Sequence, residues 1–127
     1  MLREGPVPRL VHGAFEYVAG LLFLAAPILF NFDSGIATGV SIAVGILLLV
    51  VTATTAGLPT SLRKQLALNA HVTVDFVLAI FLIAAPFILG FADEDAPRNF
   101  FMILGVAHLL LTIGTRFRER TELTAPG

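Results

Sequence analysis

The sequence predicts an all-α protein: a four-helix transmembrane bundle made of two tandem two-helix repeats, with its N and C termini cytoplasmic. Three observations predict it. The first is composition, with 57% of the 127 residues hydrophobic and 13% charged, against about 25% charged residues in a soluble domain. The second is an internal duplication. Ala84-Ala85-Pro86-Phe87-Ile88-Leu89-Gly90-Phe91 repeats Ala25-Ala26-Pro27-Ile28-Leu29-Phe30-Asn31-Phe32. Upstream of it His71 matches His12, Asp75 matches Glu16, Phe76 matches Tyr17 and Val77 matches Val18 without a gap. With one residue inserted in the turn, Asp93 matches Asp33, Gly105 matches Gly45, Thr112 matches Thr52 and Thr115 matches Thr55. The repeated unit is about sixty residues long. The third observation is that turn-forming residues cut each unit into two apolar runs.

Residues 1–9 form a polar arm whose Pro6 and Pro8 discourage a helix before Arg9. The first run, Leu10 to Phe32, is apolar except for His12, Glu16 and Asn31, and at a rise of about 1.5 Å per residue it covers a hydrocarbon core of about 30 Å. It is not read as a secretory signal. The run is too long, carries a carboxylate, lacks a small-x-small cleavage site and recurs inside the chain. Asn31-Phe32-Asp33-Ser34-Gly35 is a tight turn by composition. The second run, Ile36 to Thr55, is therefore an antiparallel neighbour of the first. Residues 56–65 are a linker with Gly57 and Pro59 as turn residues, Thr60 or Ser61 as a helix cap, and the basic pair Arg63-Lys64. The second repeat takes residues 66–115, with a run from Leu66 to Phe91, an acidic loop Asp93-Glu94-Asp95, and a last helix from about Arg98 to Thr115 whose first turn accommodates Pro97. Residues 116–127 are a polar tail.

Four spans place both termini and the central linker on one side. Arg3, Arg9, Arg63, Lys64, Arg116, Arg118 and Arg120 lie there, and Arg98 alone lies opposite. The positive-inside rule makes that side cytoplasmic. The two units then insert in parallel, unlike the inverted repeats of many transporters.

The string Ala85-Pro86-Phe87-Ile88-Leu89-Gly90-Phe91, followed after an acidic turn by Asn99-Phe100-Phe101-Met102-Ile103-Leu104-Gly105, resembles the SPW-repeat family of small bacterial and archaeal membrane proteins. That family carries a Ser-Pro-Trp signature in two-helix units, often in tandem. Here the triplets read Ala26-Pro27-Ile28 and Ala85-Pro86-Phe87, so neither the Ser nor the Trp is present. The resemblance spans Leu10 to Thr115; it implies the fold and no established biochemical activity.

Charge inside a membrane is costly, about 2.5–3.5 kcal/mol for Asp at a helix centre, and marks functional candidates. Glu16 and Asp75 lie about two helical turns in from the cytoplasmic end, and His12 and His71 precede them by four residues on the same helix face. That face continues through Gly20, Phe23 and Pro27 in the first run, and through Ala79, Leu82 and Pro86 in the third. The even-numbered runs carry matching stripes, Ser41, Gly45, Leu48, Thr52 and Thr55, then Phe101, Gly105, His108, Thr112 and Thr115. Small residues at this spacing let helices approach, and the threonines can donate to a neighbouring carboxylate. An interior polar cluster of His12, Glu16, His71, Asp75 and His108 follows, in which only His108 lacks a counterpart, Leu48 filling its place.

Three readings fit this cluster. It can be structural, pinning helix register. It can handle protons or ions, although no continuous polar path leads to the outer side. Or His12 with His71 can hold a haem, although no attachment motif is present. Pro27 and Pro86 are expected to kink their helices and steer them into the outer turns.

A net charge of -1 without a basic stripe gives no support for nucleic-acid binding, and the lack of cysteine excludes disulfides, thiol nucleophiles and cysteine-ligated metals. No nucleophile elbow, phosphate loop or zinc-protease helix occurs. No cofactor, no metal and no enzymatic activity are expected. The expected partners are the lipid bilayer and either further copies of the chain or a larger membrane complex.

Overall fold

A computed structural model describes residues 7–55 and 67–115. The expected linker, with Thr60 and Ser61, and the basic residues Arg63, Lys64, Arg116, Arg118 and Arg120 lie outside these. Four helices follow one another, α1 (Arg9–Leu29), α2 (Gly35–Thr54), α3 (Leu68–Ile88) and α4 (Asp95–Gly114), and each is long and apolar enough to cross a membrane. They form two hairpins, α1 with α2 and α3 with α4, whose backbones pack much more closely within each hairpin than between them. The arrangement is the tandem pair of two-helix repeats that the duplication predicts.

Local chemistry sets the helix ends. Pro8 is extended and precedes α1, where its carbonyl accepts from the His12 amide at 3.1 Å. At the far end Asn31 and Gly90, equivalent positions of the two repeats, both adopt positive φ, 51° and 82°. The next amide then turns back, Phe32 N–H to the Pro27 carbonyl at 3.0 Å and Phe91 N–H to the Pro86 carbonyl at 2.9 Å. This is the left-handed helix stop that glycine and asparagine favour. Ser34 caps α2 by accepting from the Ala37 amide at 3.1 Å. The last helix begins at Asp95, three residues before the expected Arg98. Asp95 sits favourably in a first turn, and Pro97 in that turn removes only an amide that has no intrahelical partner.

Pro27 and Pro86 sit inside their helices, near the exits. Pro27 lacks the amide that would bond the Phe23 carbonyl. Ser41 Oγ of α2 supplies that bond at 2.6 Å. The second repeat has Phe101 at the position of Ser41, so the substitution for the missing bond belongs to the first hairpin.

Glycines set the closeness of each hairpin. A Cβ added at Gly45 would stand 2.7 Å from the Gly20 carbonyl oxygen, and one at Gly105 would stand 3.1 Å from that of Ala79. The first clash is with backbone, which cannot rotate away. Gly45→Ala is accordingly expected to destabilise the bundle by about 1–3 kcal/mol, read as a lower midpoint in detergent unfolding. An unchanged midpoint would contradict so close an approach of α1 and α2.

Across the bundle interior the half remote from the termini is aromatic. Phe23 meets Phe100 and Phe101 edge to face, with ring centroids 4.8 and 5.6 Å apart, and Phe91 meets Phe101 at 5.1 Å. Such pairs add about 0.5–1.5 kcal/mol each beyond burial. The half nearer the termini is polar.

A sealed histidine and carboxylate cluster

The helix-face periodicity that spaces His12 from Glu16, and His71 from Asp75, aims all four inward. The structure brings them together with His108 from α4. All five side chains are buried, between 0% and 2% exposed. The four groups from α1 and α3 form a closed square. His12 Nε2 lies 3.1 Å from Glu16 Oε1 and 2.9 Å from Asp75 Oδ2. His71 Nε2 lies 2.7 Å from the same Glu16 oxygen and 3.1 Å from the same Asp75 oxygen. His108 Nε2 approaches the remaining oxygens, Glu16 Oε2 at 3.0 Å and Asp75 Oδ1 at 3.5 Å. Glutamate has one methylene more than aspartate, and it reaches His108 within hydrogen-bond distance where Asp75 does not. Asp75 Oδ1 is buried without a hydrogen-bond partner.

The outward nitrogens are fixed by threonines of the even-numbered helices. His12 Nδ1 meets Thr115 Oγ1 at 2.7 Å, and His71 Nδ1 meets Thr55 Oγ1. Each hydroxyl donates to a carbonyl one turn back, Leu111 for Thr115 and Val51 for Thr55. The hydroxyl oxygen therefore accepts, and Nδ1–H of each imidazole donates. Thr55 and Thr115, expected as donors to a carboxylate, orient imidazoles instead.

The partnerships are reciprocal between repeats. His12 of the first repeat bonds Asp75 and Thr115 of the second, while His71 of the second bonds Glu16 and Thr55 of the first. The cluster ties together two hairpins whose backbones touch little.

The opposite end carries a second cross-repeat link that sequence reasoning passed over. Glu94, the equivalent of the capping Ser34, extends to the first hairpin and accepts from the Asp33 and Ser34 amides at 2.6 and 2.9 Å. Its position before α4 resembles a cap, yet its own helix receives no side-chain cap from it. The duplicated alignment of Ser34 with Glu94 was the available signal.

A porphyrin between His12 and His71 meets an obstacle in this geometry. Their ring centroids are 6.0 Å apart, but both Nε2 atoms are engaged by Glu16 and Asp75, whose side chains occupy the space a macrocycle needs.

Four apolar helices around a sealed polar interior define a multi-pass membrane protein built from duplicated hairpins. The family model of the SPW repeat domain matches residues 10–117, and the chain belongs to that family. No curated protein matches the chain, and neither does any solved structure.

Proposed function

We propose that the chain is a structural or accessory component of the membrane, acting through its outer faces while the polar cluster clamps its two hairpins together. The supporting observation is closure. The buried acids and histidines bond one another across the repeats, and beyond them lies the layer of Phe23, Phe100 and Phe101 rather than a polar path. Clefts open instead sideways on the apolar surface. One of about 570 Å³ runs between α2 and α3, lined by Val40, Val44, Leu47, Val77 and Phe81. Another of about 440 Å³ lies between α1 and α4, lined by Leu22, Phe30, Phe100, Ile103 and Leu104. Acyl chains or the helices of neighbouring subunits fit such surfaces, whereas a soluble substrate does not, and catalysis is not part of this reading. The basic residues near the termini and linker orient that end to the cytoplasm of a bacterial or archaeal cell.

The competing reading is proton or ion conduction through Glu16, Asp75 and His108. Reconstitution of the purified protein in liposomes separates the two. The expected result is a passive proton flux no greater than that of empty liposomes. A flux that disappears with Glu16→Gln and Asp75→Asn would replace the clamp by a conduction path.

A further inference from the structure

We propose that the pocket enclosed by His12, Glu16, Asp75 and His108 binds one divalent first-row transition-metal ion. The proposal goes beyond the scaffold reading and does not depend on it. Each of the four residues offers one ligand atom, and these atoms all lie within 4.8 Å of one another. The histidine nitrogens already approach these carboxylates at 2.9 to 3.5 Å, through both oxygens of each. In a tetrahedral site with bonds of about 2.0–2.2 Å, neighbouring ligand atoms are separated by about 3.3–3.6 Å. Drawing the four ligand atoms in from their spread of within 4.8 Å to that separation would convert the hydrogen-bonded square into a coordination shell.

Donor chemistry selects the ion. Imidazole nitrogen mixed with carboxylate oxygen suits zinc, iron, nickel or copper, whereas magnesium and calcium favour all-oxygen shells. Charge agrees in sign, since the two carboxylates attract a cation, and its binding displaces the protons that the ligating imidazoles otherwise hold towards them. The outer contacts agree as well. With Nδ1–H of His12 donated to Thr115, its Nε2 is aimed at the pocket, and loss of the proton there presents a lone pair in the orientation that metal-bound histidines take from their second hydrogen bond. His71, held in the same way by Thr55 and bonded to both carboxylates, is a positioning residue for Glu16 and Asp75.

Two observations point to a ligand rather than a clamp alone. Asp75 Oδ1 is buried, faces His108 Nε2 at 3.5 Å and has no hydrogen-bond partner; a cation between them would give this oxygen the partner it lacks. And His108 is surplus to the clamp. His12, Glu16, His71 and Asp75 close their square without it, and the first repeat has Leu48 at its place. A fifth polar group stands where the first repeat has an apolar one, and it faces Glu16 Oε2 and the unpartnered Asp75 Oδ1.

The test uses the full chain, purified in detergent with any affinity tag removed. Metal content is measured after gel filtration with chelator, and Co²⁺ is then added as a spectroscopic probe competed by Zn²⁺. The expected result is one ion per chain and a visible ligand-field spectrum for Co²⁺. His108→Leu, which copies the residue of the first repeat, is expected to keep the helical circular-dichroism spectrum and weaken Co²⁺ binding at least about tenfold. Asp75→Asn, nearly isosteric, is expected to do the same and serves where the leucine disturbs packing. Folded wild-type protein that neither retains metal nor gives a Co²⁺ spectrum overturns the proposal, and so does binding undiminished in either folded variant. The liposome flux is read independently, so failure of this proposal leaves the scaffold reading where it stood.

Discussion

Glu16→Ala is expected to destabilise the bundle by about 3–5 kcal/mol, the usual cost of removing one partner from a buried charged or strongly hydrogen-bonded pair. Its carboxylate serves three imidazoles, with His12 and His71 on Oε1 and His108 on Oε2. Truncation leaves all three short of an acceptor at a place that is 0% exposed, and buried polar groups without partners carry their whole desolvation cost. Equilibrium unfolding in mixed micelles measures it. Ile28, which is 81% exposed and faces lipid in this reading, is the control, with Ile28→Ala expected to move stability by no more than about 0.5 kcal/mol. If the two variants unfold alike, the cluster does not hold the fold together.

The sequence made some of this legible and concealed the rest for physical reasons. Hairpins, their order and the inward faces follow from periodicity, because the same side-chain spacing appears in both repeats and each face is apolar or polar as a unit. Membership of the cluster follows too, since His12 with Glu16, and His71 with Asp75, share a face through four-residue spacing. Periodicity describes one helix at a time, however. It pairs His12 with Glu16 and is silent on the bonds to Asp75 and Thr115, which depend on how the hairpins meet. The sequence points to a later start for α4 because three consecutive acids read as loop, although acids also favour a helix N-terminus. In the sequence Ser41 reads only as a small residue. That Pro27 strips a partner from the Phe23 carbonyl was legible, and that Ser41 stands opposite to replace it was not.

The reciprocal bonding also has an energetic signature. His12→Ala and Asp75→Ala are each expected to cost about 3 kcal/mol or more, because either leaves its partner buried and poorly satisfied. The double variant removes both, and it is expected to cost less than the sum by about 1.5–3 kcal/mol, within the range of coupling between groups in direct contact. The repeat predicts the same for His71 with Glu16, whose 2.7 Å separation is the shortest in the square. His12 also touches Glu16 on its own helix at 3.1 Å, so some of its loss survives in any cycle made with Asp75 alone; the coupling measured is that of the contact between hairpins. Thr73 supplies the contrast. It lies on α3 near Asp75 in sequence and spends its hydroxyl on the Asn69 carbonyl of its own helix, so His12→Ala with Thr73→Ala is expected to be additive within about 0.5 kcal/mol. Additivity in the His12 and Asp75 cycle would mean that the two hairpins are joined by apolar packing and not by the exchange of hydrogen bonds at their centre.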